Sequence, residues 1–398
     1  MTITPKTVRL NRRGEPAPVI VQILPALVRG GVERGTIEIA QAIQQQGGRA
    51  VVISSGGPLV HQLERCGASH IALDVHSKNP LRWPMLRRQL RKILIAENAG
   101  LVHVRSRVPA WIGLPVAKSL RLPRMSTVHG RFLAKSALKR FYNRKLLDSD
   151  HVIAISDYVR GLITSQYVGI EPRMTVIQRG VDIGYFNPAA VNQARIIKFA
   201  ESMAFREDLP VVMLPARATA WKGQKILLEA LARLPHRDFM CLLVGAGDGS
   251  PAFVEGLTNH GKALGLEGRF RLTPLVNDMP AALMFADVVV MPSITPEPFG
   301  RVALEAQAMG RPVIAFNHGG ATESIIDQKT GWLVPPGDVD SLSSALASAL
   351  ALGAEDRQKI AVASRSHIEA FFSTELMCQK TLKIYRRLLD GARVARQS

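Results

Sequence analysis

Short apolar runs alternate with helical patterns along this chain, and the alternation runs twice. Val19-Ile20-Val21-Gln22-Ile23-Leu24 predicts a strand, Thr36 to Gln46 a helix, and Ala50-Val51-Val52-Ile53-Ser54 the next strand. Further strands are expected at 101–104, 124–128 and 151–155. After a polar, charged interval near 187–208 the pattern restarts, with strands at 210–215, 239–244, 270–272, 288–290 and 312–315 and a helix over 224–234. Strands separated by crossover helices pair in parallel and are covered on both faces. The expected class is α/β, with two Rossmann-like domains.

The 398 residues suit about two domains. No apolar run approaches the roughly 20 residues that span a bilayer. Met1 to Pro18 is polar and basic and is not expected to be a signal peptide. Cys66, Cys241 and Cys378 show no metal-ligand spacing and read as free buried thiols in a reducing cytoplasm. The charge is lopsided. Residues 1–185 carry 28 Lys and Arg against 11 Asp and Glu, while the remainder carries 23 against 21. A basic first half suggests an anionic partner: a membrane surface, an acidic glycolipid or a nucleic acid. No aromatic-interleaved basic motif or recognition module is present, so nucleic acid is not the expected partner.

Glu297-Pro298-Phe299-Gly300-Arg301-Val302-Ala303-Leu304-Glu305 follows the apolar strand Val288–Val290. Glu297 falls in the loop at a strand's carboxyl end, where open α/β sheets bind ligands. Glu305 falls about two turns into the following helix, so both carboxylates can face one crevice. The backbone N–H groups of Gly300, Arg301 and Val302 open that helix and can seat a phosphate. A phosphate seat flanked by hydroxyl-binding carboxylates suits a sugar nucleotide. Arg217 and Lys222 follow the first strand of the second half and can converge on a diphosphate, neutralising a leaving group without a metal. Each alone would read as a solvated surface cation.

Gly30-Gly31 lies between the first strand and the first helix, where glycine lets backbone approach a ligand or adopt positive φ. It is not a G-x-G-x-x-G fingerprint. His129-Gly130 follows another strand end and could hydrogen-bond a sugar hydroxyl. Neither a serine triad nor a metal-binding cluster is evident. Two basic helical patches are expected in the first half. One is 81–96, with Leu86, Leu90, Ile93 and Leu94 beside Arg82, Arg87, Arg88, Arg91 and Lys92. The other is 133–147, with Leu138, Phe141, Tyr142 and Leu146 beside Lys135, Lys139, Arg140, Arg144 and Lys145. Such helices can lie on anionic lipid or simply present a solvated basic face.

Taken in order, Gly30-Gly31, His129, Arg217, Lys222-Gly223, Glu297-x7-Glu305 and Gly319-Gly320-Ala321-Thr322-Glu323 resemble family-four retaining glycosyltransferases of the GT-B fold. The likeness runs from about Val19 to Leu389. Val104-Arg105-Ser106-Arg107 and Thr127-Val128-His129-Gly130-Arg131 resemble bacterial enzymes of lipopolysaccharide-core and surface-polysaccharide assembly. The resemblance implies two domains facing across a cleft. It implies that Glu297 binds sugar hydroxyls, Glu305 the ribose, and Arg217 and Lys222 the diphosphate. Backbone from Phe299 to Val302 would contact sugar and phosphate, with Glu323 also in the substrate site. Gly31 would admit the phosphate, and His129 would face the donor sugar. Two departures stand out: Ala216 before Arg217, where many relatives have Gly, and Arg179-Gly180-Val181-Asp182, where Asn-Gly is common at the middle pair.

The expected organisation is 18–190, an acceptor-side domain, then 205–374, a nucleotide-sugar domain, with helix 375–392 crossing back to the first. The expected reaction is hexosyl transfer with retained configuration and no cofactor or metal. The donor would be a nucleotide sugar, with GDP-mannose favoured. The acceptor would be a lipid-linked saccharide at the cytoplasmic face of a membrane. A sugar-nucleotide epimerase of similar architecture is the alternative, and a basic nucleic-acid-binding protein a more distant one.

Overall fold

The computed structural model describes residues 8–11, 16–28, 30–134, 136–203 and 209–397. Lys135 of the second basic patch lies outside them, as do 204–208 of the polar interval and 1–7 and 12–15 of the N-terminal segment. The chain divides into two compact units, 1–179 with 374–398, and 180–373.

The first unit holds a seven-stranded parallel sheet: β1 (Val19–Ile23), β2 (Arg49–Ser54), β3 (Ser69–Ala72), β4 (Ala99–Val104), β5 (Arg124–Val128), β6 (His151–Ala154) and β7 (Met174–Val176), in the order β3-β2-β1-β4-β5-β6-β7. The second holds a six-stranded parallel sheet: β8 (Val211–Pro215), β9 (Met240–Val244), β10 (Phe270–Thr273), β11 (Val288–Met291), β12 (Val313–Phe316) and β13 (Gly331–Val334), in the order β10-β9-β8-β11-β12-β13. Both orders reverse once, between β1 and β4 and between β8 and β11. Ligands of open α/β sheets bind outside the carboxyl ends of strands at such a reversal. β1, β8, β9, β11 and β12 are buried throughout, which accounts for their nearly unbroken Val, Ile, Leu and Met runs.

The structure departs from the sequence reading in its boundaries and helices at several places. The division falls after Arg179 instead of near 190, because 180–186 is tied to the second unit: Val181 N–H donates to Phe372 O at 2.9 Å, and Arg365 Nη1 donates to Phe186 O at 3.2 Å. The polar interval carries a helix, Gln193–Met203, whose Phe199 is buried against Phe285 of helix Met279–Phe285. The first helix starts at Gly31, well before Thr36, so Gly30 is its N-cap. The second basic patch is helical only over Ala137–Arg144, continued by a 3-10 turn Lys145–Leu147; Ser136 Oγ caps it by accepting from Lys139 N–H.

The last helix, Thr374–Gln397, is part of the first unit. Met377, Cys378, Leu382, Tyr385 and Leu389 share one core with Ile20, Ile39, Ile43 and Val52. All three cysteines are free thiols. Among the described residues no helix is long and apolar enough to cross a membrane.

Candidate functional site

In the second unit, the loop leaving β8 carries Arg217, then a 3-10 turn Ala220–Lys222, then helix Gln224–Ala232. Gly223 joins the turn to the helix with a left-handed φ of 79°. A Cβ there would lie 1.9 Å from Pro292 O, so the chain leaving β8 rests directly on the chain leaving β11. That contact delivers Lys222 to Glu297. Nζ lies 2.6 Å from Oε1, and both side chains are largely buried, at 14% and 13% exposure. Ser293 Oγ donates to the same carboxylate oxygen, and the Trp221 ring lies 4.5 Å from Nζ. Arg217 is exposed on the same loop and makes no ion pair among the described residues.

The loop after β11 is braced from below. Gly320 N–H donates to Glu297 O at 2.9 Å, and a Cβ on Gly320 would meet Phe299 Cα at 2.3 Å. His318 Nε2 lies 2.7 Å from Ser293 O. Gly300, with φ 94°, caps helix Arg301–Ala308, whose first N–H groups open beside the loop. The Phe299 side chain is buried and packs against Phe372, so only its backbone is left for a substrate. Glu305 lies a turn beyond Arg301, with Oε1 3.8 Å from Arg301 Nε, and both side chains are largely buried. Val302 is half-buried on the first turn of that helix, and Glu323 is half-buried on the short helix Ala321–Ser324. The sequence-predicted residues that the structure places in contact are thus Lys222 with Glu297, Arg301 with Glu305, and Gly319-Gly320 with the Glu297–Phe299 backbone.

In the first unit, Gly30 is extended (φ 161°) and does not use the left-handed freedom of glycine. The glycine that matters sterically is Gly35, where a Cβ would lie 1.8 Å from Arg179 Nη2. Through that gap Arg179 donates to Gly31 O, fixing the start of the helix. Arg105, at the carboxyl end of β4, is buried too, and its Nε donates to Gln22 Oε1 at 2.9 Å. Two buried guanidiniums lie at these strand ends, one of them 3.9 Å from the largely buried Glu38 carboxylate, which leaves one net positive charge among the three. His129 sits beside them. Burial first, then the charges of Arg179, Arg105 and His103, hold its imidazole well below the ordinary value. Its Nε2 is buried and has no hydrogen-bond partner among the described residues. A neutral imidazole there can donate to or accept from a sugar hydroxyl. Behind it, His103 joins Tyr385 OH and Thr127 Oγ1, each at 2.7 Å.

Sequence reasoning gave no site role to Ser293, Trp221, Gln22, Arg105, Arg179 or Tyr385, although Arg105 and Arg179 lie in stretches it singled out. Gln22 did carry a signal, as a lone amide inside an apolar strand.

His103, His129 and His151 are all pushed below 6.5, chiefly by burial; His151 is lowered to about 4, helped by Arg387 and Arg173. A histidine whose folded pKa is depressed takes its proton more readily when unfolded. Its stabilising contribution is present above pH 6.5 and is lost as pH falls. The melting temperature should therefore be nearly flat above about pH 7 and decline from about pH 6.5 toward pH 4. His151→Gln, which cannot take the proton, should lose part of that slope. Calorimetric scans across this window are the check, and an unchanged midpoint would contradict the assignment.

Among the described residues no group of three or more His, Cys, Asp or Glu is gathered for a metal ion. Residues 29–185 match the model of Glycosyltransferase Family 4, and residues 196–367 match that of Glycosyl transferases group 1. A crystal structure of a glycosyltransferase from Rickettsia africae is 35% identical, covering 94% of this chain and 99% of that one, with a TM-score of 0.88. The GDP-mannose-dependent monoacylated alpha-(1-6)-phosphatidylinositol monomannoside mannosyltransferase of Corynebacterium glutamicum is 30% identical over 65% of this chain and 69% of its own length. The Anabaena protein HepE, solved with UDP-glucose, is 24% identical and shares the fold, with a TM-score of 0.80 over 92% of this chain and 99% of its own.

Proposed function

The chain belongs to the glycosyltransferases, and on that premise we propose that it moves a hexose from a nucleotide sugar to a lipid-linked saccharide, with the anomeric configuration retained and no metal. The observation that carries this is the Lys222–Glu297 pair at the sheet reversal of the second unit, with Arg217 exposed on the same loop. Lys222 and Arg217 bind the diphosphate and stabilise the charge that develops as the sugar bond breaks. Glu297 accepts hydrogen bonds from sugar hydroxyls while its other contacts fix its orientation. Glu305 accepts from the ribose, and the backbone of Gly300 to Val302 binds phosphate. The departing phosphate oxygen takes the acceptor's proton on the same face, so catalysis consists of positioning and charge stabilisation. His129 hydrogen-bonds the sugar near the reacting carbon.

GDP-mannose is the favoured donor, supported by the donor named for the Corynebacterium relative. The same relative's phosphatidylinositol mannoside acceptor supports a lipid-linked saccharide. The stretches 104–107 and 127–131 favour lipopolysaccharide-core or surface-polysaccharide synthesis, at the inner face of the membrane. The test is a panel of GDP-, UDP- and ADP-sugars, read by thermal shift and by slow hydrolysis, with and without excess EDTA. One donor should stabilise the protein and be hydrolysed in EDTA. Release of an isomerised sugar nucleotide without an acceptor would favour an epimerase, and loss of activity in EDTA restored by magnesium would remove the metal-free mechanism.

The two carboxylates should separate in calorimetry. Glu305→Gln should weaken binding of the free nucleoside diphosphate by roughly tenfold, the value of one hydrogen bond to a charged group. Glu297→Gln should leave that binding nearly intact and depress the sugar-dependent steps. Equal losses would merge the two roles.

A further inference from the structure

A cavity of the first unit, about 730 Å³ and open to solvent, is lined by helix Ala137–Arg144, the turn Lys145–Leu147 and the segment 166–173. Asp148 precedes β6 and Arg173 immediately precedes β7, so the cavity reaches the amino ends of these strands. Gly31, Arg105 and His129 follow the carboxyl ends of β1, β4 and β5. In a parallel sheet those are opposite edges, so the cavity is separate from the site described above.

Its lining is both basic and apolar. Tyr167 is buried, with its OH donating to Arg140 O at 3.0 Å, and Trp111 packs on Phe141 at 5.5 Å between ring centres. Lys145 is already paired with Asp148 at 2.7 Å and Arg173 Nη1 donates to Ser149 O at 2.6 Å, which leaves Arg140 and Arg144 as the exposed cations. Around the mouth stand Phe141 at 64% exposure and Val168 at 99%, with Leu138 at 78% on the same helix. Large apolar side chains clustered in water mark an interaction site. Arg140 and Arg144 beside them favour a ligand that is also anionic. A sugar phosphate would leave Val168, Phe141 and Leu138 uncovered. A phospholipid covers them with its chains while its phosphate meets the guanidiniums, and the volume falls within the range of small-molecule sites.

The other basic helix also exposes apolar side chains, Met85 and Ile95, beside Arg88 and Lys92, but none of them lines this cavity. Helix Trp83–Ala96 buries Leu86, Leu90 and Leu94 in its own unit, and Arg87 is held on Trp111 O.

We propose that this cavity binds one anionic phospholipid, headgroup phosphate against Arg140 and Arg144 and chains against Phe141 and Val168. The proposal rests on the reading that the enzyme works at a membrane and assigns that contact to one place. The test is calorimetric titration of the full chain with dihexanoylphosphatidylglycerol below its micelle concentration, beside glycerol phosphate and dihexanoylphosphatidylcholine. Co-sedimentation with phosphatidylglycerol vesicles runs in parallel. The expected result is saturable binding of the anionic lipid. It should weaken roughly tenfold or more in Arg140→Glu/Arg144→Glu and in Val168→Glu, and persist in the equally charged control Arg88→Glu/Lys92→Glu. Far-ultraviolet circular dichroism and the thermal unfolding midpoint, unchanged in every variant, report an intact first unit. Equal weakening in the control, or glycerol phosphate binding as tightly as the lipid, overturns the proposal. Vesicle binding without saturable lipid binding overturns it and leaves the membrane reading standing. Saturable lipid binding without vesicle binding supports the cavity and removes the membrane reading.

Discussion

Lys222→Ala is expected to lose about two orders of magnitude or more in turnover while the fold survives. Lys222 is held twice over, by Glu297 Oε1 at 2.6 Å and by the Trp221 ring at 4.5 Å. An ammonium fixed in this way is already oriented when a diphosphate arrives, so little reorganisation is needed as charge develops on the leaving group. Removing it does double damage. The leaving group loses a charge-assisted contact, and the Glu297 carboxylate is left largely buried beside Ser293 without its cation. Lys222→Arg should restore little, because a planar fork does not replace a compact point charge between a ring and a carboxylate. Arg217→Ala should be milder, about tenfold, since that side chain is exposed and one charged hydrogen bond is at stake. Single-turnover rates and nucleoside diphosphate calorimetry decide the matter: near-normal values for Lys222→Ala would remove it from the clamp.

Gly223→Ala is expected to destabilise the second unit by about 3–5 kcal/mol. Two terms add. The residue has φ 79°, which costs an L-residue about 1–2 kcal/mol. Its new Cβ would also lie 1.9 Å from Pro292 O, a backbone atom that cannot rotate away. Relief requires β8 and β11 to part at their carboxyl ends, which separates Lys222 from Glu297. The melting temperature should fall by roughly 10 °C, with donor binding lost well before the unit unfolds. Gly256→Ala is the control. It lies in helix Pro251–Ala263 with nothing within 4 Å of the added methyl, and should be neutral or stabilising. If both variants melt together, the close approach at Gly223 carries no strain.

The central strands were legible because burial on both faces leaves nearly continuous apolar runs, as in Val211–Pro215 and Val288–Met291. Ser69–Ala72, Met174–Val176 and Gly331–Val334 were not. Each is a short edge strand with at most part of its length buried, so the apolar signal is broken. In the candidate site, the charged residues at strand ends could be named from spacing alone. Their partners could not. Ser293 reaches Glu297 only through the bend after β11, and Arg179 reaches Gly31 across a sequence gap spanning most of the first unit. Gly35 is an ordinary helical glycine until Arg179 is seen to fill the space beside it. The first basic helix formed as expected, but its letters could not say which apolar residues face the core: Leu86, Leu90 and Leu94 do, while Met85 and Ile95 are exposed.

The helix Thr374–Gln397 completes the first unit although it follows the whole of the second in sequence. On a ribosome, 1–179 emerge first, yet Tyr385 and Leu389, which close their core, are made only after all of 180–373. At roughly 5–20 residues per second that delay is on the order of ten seconds or more. Residues 180–373 are contiguous and can settle while the earlier segment still waits with Ile20, Ile39 and Ile43 uncovered on one side. The order of maturation thus runs against the order of synthesis. A nascent chain halted before Thr374 should present chaperones with an unfinished leading half joined to a finished trailing one.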